Sequence, residues 1–519
     1  MRMTVRWPAV LFVLATTVPA VAQNGSFIDA GASTIRYTES VAEPALACAS
    51  LVSLTGHDYS IVAAAVVASG DDAPEHCRVS GVIAPEIRFE VNLPSAWNGR
   101  FYMHGNGGLA GSPPELPRRR ATAHRALTQG FATAYTNTGH DRRSEPGWSF
   151  AHGNLQKLVD YAFRAVHLTA VTAKEIVQTY YTRSPSYSYW HGCSTGGRQG
   201  LVSAQRFPED FDGIVVGAPI LDLVGTQLSN IWEIQALKNT SFTKAKVEKL
   251  SEIVYAQCDG VDGLKDGLIT DPRHCAFDPA QDLPRCSGSA SPDCFTEEEI
   301  TAVSKFYGGV ETSQGRLYPG RPIGAEPLER FRLRAGVQLE RANDYLRYIA
   351  FPEEGPEFAL AAFDFDEDPK RMEFARHMLD AIEPDMTRFK DRGGKILGYF
   401  GWADQALNPQ RNVDYYEDVM ATIGRDETRS FYRLFMIPGM AHCRGGLGVD
   451  RFDAMTALVN WVEGGTPPER LLASRVEEDR VTMTRPLCPY PEFARYQEGG
   501  SPNEAASFVC ASPEPSTTQ

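Results

Sequence analysis

Short apolar runs alternate with longer amphipathic stretches along the first part of the chain. Residues 87–93 alternate between apolar and polar positions, which is the period of a half-buried strand. Residues 155–178 place apolar side chains at the spacing of an amphipathic helix. The pattern also predicts strands at 100–104, 131–136, 186–190 and 213–217 and a helix at 198–206. Strands that alternate with helices indicate an α/β fold with a parallel sheet covered on both faces.

This alternation of predicted strands and helices stops after Pro219 and resumes near residue 395. Between them the chain is helical and irregular, and it is rich in cysteine, proline and charge. The resumed pattern predicts strands at 395–400 and 430–437 and helices at 412–423 and 452–463. We therefore predict one α/β core, formed by residues 23–219 and 379–519, with a lid domain inserted at 220–378.

The composition is that of a globular protein with a large core. The 519 residues are 43% hydrophobic and 22% charged, and the formal net charge is −14. No basic cluster is dense enough to bind nucleic acid or an anionic membrane, which excludes both as partners. No stretch beyond the N-terminus is long and apolar enough to span a bilayer. A small molecule is the partner that we expect, and the oligomeric state is left open.

The N-terminus has the pattern of an export signal. Arg2 and Arg6 precede a mostly apolar run at 9–18, and Ala20-Val21-Ala22 supplies the small residues of a cleavage site. We predict a signal peptide at 1–22 and a secreted or periplasmic protein; the alternative is a buried N-terminal helix.

Gly192-Cys193-Ser194-Thr195-Gly196 matches the G-x-S-x-G sequence of a nucleophile elbow. It lies between a predicted strand and a predicted helix, which is the context that the motif requires. The tight turn holds the Ser194 hydroxyl clear of the sheet, and the helix N-terminus behind it favours developing negative charge. Because glycine is plentiful in this chain, a chance match on a loop is the alternative.

Two later residues follow the serine in the order Asp, His. Asp404 comes directly after the predicted strand at 395–400, and His442 comes directly after the one at 430–437. Both the order and the positions are those of the acid and base in α/β-hydrolases. A turn aspartate and a surface histidine are the alternatives for each residue alone. Together with Ser194 they predict a catalytic triad on an α/β-hydrolase core.

An oxyanion hole needs two N–H donors. The residue after the nucleophile, here Thr195, normally supplies one. The glycine-rich stretch Gly105-Asn106-Gly107-Gly108 follows an early strand and allows close approach to a substrate oxygen. We predict Gly108 as the second donor, with Gly107 or a plain glycine turn as alternatives.

Ten cysteines in an exported chain are expected to pair. Sequence alone does not fix the pairing, but closeness along the chain favours four local bonds: Cys48–Cys77, Cys258–Cys275, Cys286–Cys294 and Cys488–Cys510. Cys193 and Cys443 remain, one beside the candidate nucleophile and the other beside the candidate base. A bond between them would hold their Cα atoms about 5.5–6 Å apart and keep nucleophile and base together.

Asp259, Asp262 and Asp266 alternate with glycines in one short stretch. Carboxylates and carbonyls in a tight loop suit Ca²⁺. The spacing is not that of an EF-hand and the glutamate at position twelve is missing, so a solvated acidic turn is the alternative.

These motifs together resemble the tannase and feruloyl esterase family, which includes feruloyl esterases, tannases and mono(2-hydroxyethyl) terephthalate hydrolase. The resemblance rests on residues 192–200, 401–404 and 439–443 and extends over nearly the whole mature chain. It implies a Cys193–Cys443 disulfide and a structural Ca²⁺ in the lid. The ligands that it implies are the carboxylates of Asp259, Asp262 and Asp266 and the backbone carbonyls of Leu264 and Leu268.

The resemblance further implies a secreted serine carboxylic ester hydrolase that acts on aromatic or hydroxycinnamic acid esters. Phe400 and Gln405 replace a histidine and a proline common in relatives, and we expect both near the acyl pocket. The alternatives are a tannase, a mono(2-hydroxyethyl) terephthalate hydrolase and, in a different class, a non-catalytic calcium-stabilised binding protein. Candidate lid residues for the pocket are Phe351, Phe358, Phe363 and Phe365, with Arg330, Arg332, Arg334 and Arg371 for a substrate carboxylate.

Overall fold

The computed structural model describes residues 27–37, 39–70, 73–240, 242–328, 336–354, 358 and 360–513. The predicted signal peptide at 1–22 lies outside these residues, as do Arg330, Arg332 and Arg334. Within the described ranges, no helix combines the length and the apolar character needed to cross a membrane.

Within the described residues there are fifteen strands, numbered in chain order. They are β1 (Tyr59–Val67), β2 (His76–Ile83), β3 (Ile87–Pro94), β4 (Arg100–His104), β5 (Ala132–Thr136), β6 (Tyr187–Cys193), β7 (Gly213–Gly217), β8 (Gly309–Thr312), β9 (Gly315–Pro319), β10 (Lys395–Gly401), β11 (Tyr432–Ile437), β12 (Leu471–Glu477), β13 (Arg480–Leu487), β14 (Phe493–Tyr496) and β15 (Phe508–Ala511).

Nine of these strands form one central sheet in the order β1-β2-β3-β5-β4-β6-β7-β10-β11. Antiparallel pairs join β1 to β2, β2 to β3 and β3 to β5, and every later pair is parallel. The buried parallel strands are apolar on both faces because helices cover them. The carboxyl ends of β4, β6, β10 and β11 consequently lie along one edge of the sheet.

The helices are also numbered along the chain. They are α1 (Pro117–Thr128), α2 (Leu155–Val159), α3 (Ala165–Tyr181), α4 (Thr195–Arg206), α5 (Leu223–Ala236), α6 (Lys244–Cys258), α7 (Pro279–Asp282), α8 (Glu297–Gly308), α9 (Gly336–Tyr345), α10 (Glu373–Leu379), α11 (Thr387–Asp391), α12 (Pro409–Ile423), α13 (Arg425–Phe431) and α14 (Ala454–Gly464).

Most predicted strands and helices are confirmed, but several of their bounds are wrong. The strand predicted at 430–437 begins at Tyr432, because the preceding residues form the last turn of α13. The helix predicted at 198–206 begins three residues earlier, at Thr195, directly behind Ser194. The long helix predicted at 155–178 is present as α2 and α3, joined by one π-helical turn at Asp160–Arg164.

The chain leaves the sheet after β7 and returns to it at β10. We call residues 220–378 of this excursion the inserted segment. Its helices α5 to α10 and the β8–β9 hairpin contribute to two apolar clusters, one around α5 and α9 and another around α6 and α8. The first cluster also includes Ala110, which follows the glycine-rich stretch. The inserted segment therefore packs next to the edge of the sheet where that stretch lies.

Candidate active site

Ser194 occupies the sharp turn between β6 and α4. Its backbone angles are φ 63° and ψ −122°. This is a region that non-glycine residues avoid at a cost of about 1–3 kcal/mol. The turn is possible because the residues two positions before and after the serine are glycines: a Cβ on Gly192 would lie 2.3 Å from the carbonyl oxygen of Gly196. The serine is thus held at the N-terminus of α4, as a nucleophile elbow requires.

Asp404 and His442 lie on the loops that follow β10 and β11. The Oδ2 atom of Asp404 is 2.7 Å from Nδ1 of His442. Its Oδ1 atom accepts the N–H groups of Ala406 and Leu407 at 2.8 and 2.9 Å. The Asp404 side chain is fully buried and the His442 ring is 20% exposed. A buried, hydrogen-bonded carboxylate of this kind fixes the imidazole tautomer and leaves the role of base to Nε2.

The Cys193–Cys443 disulfide brings the serine and the histidine to the same place. The bond joins residues 250 positions apart and holds their Cα atoms 6.0 Å from each other. Phe400 and Leu407 pack against these cysteines in a small apolar cluster. All five predicted pairs are confirmed: Cys48–Cys77, Cys193–Cys443, Cys258–Cys275, Cys286–Cys294 and Cys488–Cys510.

We expect the double variant Cys193→Ser, Cys443→Ser to lower kcat by about 10²-fold, because a displacement of about 1 Å between reacting groups has an effect of that size. The free energy of unfolding should fall by about 2–5 kcal/mol, since the bond closes a long loop. Steady-state kinetics and chemical denaturation measure the two effects.

The matched control is Cys286→Ser with Cys294→Ser, which removes a bond that spans only 8 positions in the inserted segment. This control should leave kcat within about twofold. Equal kcat values for the two double variants would show that Cys193–Cys443 has no part in positioning the base.

The glycine-rich stretch after β4 contacts the elbow directly. The Thr195 hydroxyl donates a hydrogen bond to the carbonyl oxygen of Gly108. Gly108 has a positive φ of 59° and no atom within 4 Å of the position that a Cβ would take. The two predicted oxyanion donors are therefore neighbours. Their N–H groups as donors to a substrate remain a prediction.

Gln199 and Arg119 hold this stretch in place, and neither was predicted from the sequence. Gln199 Oε1 accepts the N–H of Asn106 at 3.0 Å, and Arg119 Nη1 donates to the carbonyl of Gly105 at 2.9 Å. One signal for Gln199 was available: it lies four residues after Thr195, on the same face of α4. Arg119 lies on α1, and no local pattern links it to the glycines.

Beneath the same stretch, His104 at the end of β4 is buried and neutral. Burial lowers its pKa well below the usual value, and the nearby Arg119 guanidinium lowers it further. Burial also lowers the pKa of Arg119 to about 10, which keeps that side chain charged at neutral pH. The cation below the glycine-rich stretch is therefore permanent under physiological conditions.

Phe400 and Gln405, which depart from the family pattern, both lie next to the candidate triad. Phe400 is fully buried against the Cys193–Cys443 cluster. Gln405 Oε1 accepts the backbone N–H of His442 at 3.2 Å. Gln405 therefore fixes the histidine loop from the acid loop, a contact that a proline could not make.

The four candidate phenylalanines pack mainly on one another. Ring centroids are 4.6 Å apart for Phe351 and Phe358 and 4.9 Å apart for Phe363 and Phe365. Arg371 lies over the ring of Phe351 and forms ion pairs with Glu354 and Asp368. These residues form part of the core and surface of the inserted segment, and Arg371 has its acidic partners already.

The acidic loop was the predicted calcium site. Five carboxylate oxygens of Asp259, Asp262 and Asp266 accept hydrogen bonds, two of them from the side chains of Thr270 and Arg485 at 2.6 and 2.9 Å. Within the part of the chain that the structure describes, no three acidic, histidine or cysteine side chains converge as a metal cage. The donor chemistry of the loop suits Ca²⁺, and the calcium site with its ligands stays a prediction.

The mixed sheet, the strained serine after a central strand, and the acid and histidine after later parallel strands define an α/β-hydrolase. The order Ser, Asp, His along the chain is also that of this class. The chain belongs to the tannase and feruloyl esterase family, since the family model of that description matches residues 72–511.

Individual relatives agree with this assignment. A mono(2-hydroxyethyl) terephthalate hydrolase of Piscinibacter sakaiensis is 34% identical over 530 aligned residues, which cover 87% of each chain. A probable feruloyl esterase B-1 of Aspergillus oryzae is 31% identical and covers 86% of each chain. The crystal structure of feruloyl esterase B from Aspergillus oryzae is 28% identical, has a TM-score of 0.80 and covers 88% of this chain and 98% of its own. The chain is accordingly a carboxylic ester hydrolase.

Proposed function

We propose that this protein is an exported serine esterase that cleaves aromatic or hydroxycinnamic acid esters with Ser194, His442 and Asp404. The observation that carries the proposal is the Cys193–Cys443 bond, which joins the serine turn to the histidine loop at a Cα separation of 6.0 Å. The 2.7 Å contact between Asp404 and His442 adds an oriented base.

The reaction follows from these positions. His442 Nε2 takes the proton of the Ser194 hydroxyl as the oxygen attacks the ester carbonyl. The N–H groups of Gly108 and Thr195 stabilise the oxyanion. His442 then gives the proton to the leaving alcohol as the ester C–O bond breaks and the acyl-serine forms. Water, deprotonated by the same imidazole, releases the acid and restores Ser194.

The class of ester that the protein cleaves is the more specific part of this proposal. Membership of the family supports an aromatic acyl group, and the feruloyl esterase among the similar structures makes a hydroxycinnamate our first choice. Hydrolysis of a terephthalate monoester is a second candidate, because a relative of that name is 34% identical over most of both chains. We further propose that the inserted segment is a lid that forms the acyl pocket.

A panel of esters tests the proposal. The purified mature chain is assayed with methyl ferulate, chlorogenate, methyl gallate, mono(2-hydroxyethyl) terephthalate and a short p-nitrophenyl ester. We expect the highest kcat/KM for the hydroxycinnamates. A preference for the terephthalate monoester or for the gallate selects the other activities. A chain inert to all five, and unlabelled by a fluorophosphonate, would be the non-catalytic binding protein.

Export is proposed from two features. The five disulfides need an oxidising compartment, and the sequence at 1–22 has the pattern of a signal peptide. Mass spectrometry of the protein recovered outside the cytoplasm should find Gln23 as its first residue.

We also propose that the acidic loop binds a structural Ca²⁺ when the ion is supplied. Its support is the density of carboxylates within one loop and the family resemblance. Removing calcium with EGTA should lower Tm by several degrees, and adding Ca²⁺ should restore it, because a ligand that binds only the folded state stabilises it. Asp262→Asn should abolish this response. Unchanged Tm in EGTA and no calcium by elemental analysis would contradict the proposal.

A further inference from the structure

A buried arginine of the inserted segment reaches the loop of the candidate acid. Arg321 follows strand β9 and is 8% exposed. Its Nε atom is 2.6 Å from Oε1 of Glu233 on α5, and its Nη2 atom is 3.2 Å from Oε2 of the same carboxylate. Nη2 also donates to Asn230 Oδ1 at 3.2 Å. Two residues of α5 therefore fix the orientation of the guanidinium.

The remaining nitrogen of Arg321 contacts the acid loop. Nη1 donates to the carbonyl oxygen of Ala406 at 3.0 Å. The N–H of Ala406 donates in turn to Oδ1 of Asp404, and the N–H of Leu407 donates to the same oxygen. One short turn therefore accepts a hydrogen bond from Arg321 on one side and orients the Asp404 carboxylate on the other.

A second contact joins the same two segments. Asn408 Nδ2 donates to the carbonyls of Pro319 and Gly320 at 2.9 and 2.7 Å. The acid loop is thus attached to consecutive residues of the inserted segment from Pro319 to Arg321. Deforming this stretch would move the turn that carries Asp404.

The charge of Arg321 also acts on the acid. Burial by itself lowers the pKa of this guanidinium, but the carboxylate of Glu233 raises it above the usual value, and the carboxylate of Asp404 raises it further. The attraction is mutual, so the buried Arg321 cation interacts favourably with the Asp404 carboxylate and unfavourably with a positive charge on His442.

We propose that Arg321 is a positioning residue for the Asp404–His442 pair, so that the inserted segment supplies part of the geometry of the catalytic base. The inference rests on the proposed function, since it takes Asp404 and His442 as members of a working triad. Arg321 acts through Ala406 and through its charge, without touching the reacting atoms.

Two substitutions at one position separate these contributions. Arg321→Met removes both the charge and the hydrogen bonds. Arg321→Lys keeps the charge but loses the planar fork that reaches Glu233 and Ala406 at once. The matched control is Lys246→Met, which breaks the buried ion pair of Lys246 with Glu299 between α6 and α8 of the same segment.

The measurement is kcat, KM and the pH profile of kcat/KM on the ester that the wild type prefers. For Arg321→Met we expect kcat to fall about 10²-fold with KM within about threefold, because the acid and base are misplaced by a fraction of an ångström or more. The acidic limb of the pH profile of kcat/KM should move to higher pH by about half a unit, since the lost cation no longer opposes protonation of His442. Arg321→Lys should lower kcat less and leave the limb in place.

Other charged side chains on or beside the acid and histidine loops stay unchanged in every variant. They are Arg444 and Asp450 on the histidine loop and Arg273, whose guanidinium lies 5.1 Å from the ring of Trp402. A movement of the limb can therefore be assigned to Arg321.

The inference is overturned if Arg321→Met loses no more activity than Lys246→Met and keeps the wild-type limb. If Arg321→Met does not fold, the result for Arg321→Lys tests the inference. A wild-type kcat in Arg321→Lys overturns it. A tenfold lower kcat, with the acidic limb of the pH profile unmoved, supports it. Failure of the proposed function is a different result, because it appears as undiminished turnover by Ser194→Ala in the same assay.

Discussion

Ser194→Ala should lower kcat by about 10⁶-fold, the size of effect that follows loss of the nucleophile from a serine triad. Without the hydroxyl no acyl-enzyme can form, and the residual rate comes from binding and the oxyanion donors alone. KM should change little. A burst of alcohol release from a p-nitrophenyl ester, present in the wild type, should be absent.

The control for this variant is Ser203→Ala, within the helix that follows Ser194. The Ser203 hydroxyl is buried and donates to the carbonyl of Gln199 at 3.0 Å, so each substitution removes one serine hydroxyl from this part of the chain. Ser203→Ala should keep kcat within about threefold. If Ser194→Ala kept more than about 1% of the wild-type rate, Ser194 could not be the nucleophile.

The second large effect is expected for His442→Ala, which should also lower kcat by about 10⁶-fold. Its loss removes the base, and it also leaves the buried Asp404 carboxylate without the partner that lies 2.7 Å away. The residual rate should rise steadily with pH, because hydroxide then replaces the missing base, whereas the wild-type rate reaches a plateau once His442 is neutral.

The control is His377→Ala, since His377 is exposed and its ring contacts the carbonyl of Glu373 on the preceding turn of α10. This control should match the wild type at every pH. A His442→Ala profile with the wild-type plateau would remove His442 from the mechanism.

The strands that surround the candidate site could be predicted because their sequences carry a strong local signal. Strands β4 and β7 have the bounds that the pattern gives, and Asp404 and His442 were found because they directly follow apolar strands. The disulfide partners followed from spacing along the chain. In each case the information lies within a few residues of the element concerned.

Strand β1 could not be predicted because it lacks a polar face. Val62 and Val66 point outward and are 67% and 61% exposed, so the apolar–polar alternation of a half-buried strand is absent from the sequence. The hairpins formed by β8 and β9 and by β12 and β13 were also not predicted. Their strands depend on tertiary pairing and not on a regular apolar–polar period in the sequence.

The contacts that orient the site were beyond the sequence for a different reason. Gln199, Arg119 and Arg321 act on backbone groups of distant segments, and a polar side chain in a helix or after a strand gives no sign of its partner. For Phe351 and Phe363 the sequence was ambiguous, because an apolar side chain suits the core of the inserted segment as well as a pocket wall. Only the packing distinguishes these two roles.

The Cys193–Cys443 bond closes a covalent ring that contains the candidate triad. Asp404 and the whole inserted segment lie inside the 250 positions that the bond spans. The distance between Ser194 and His442 is therefore set by the bond and the sheet, and residues can be gained or lost within the ring without changing it. In evolutionary terms, the ring allows the inserted segment to diversify while the reaction stays the same.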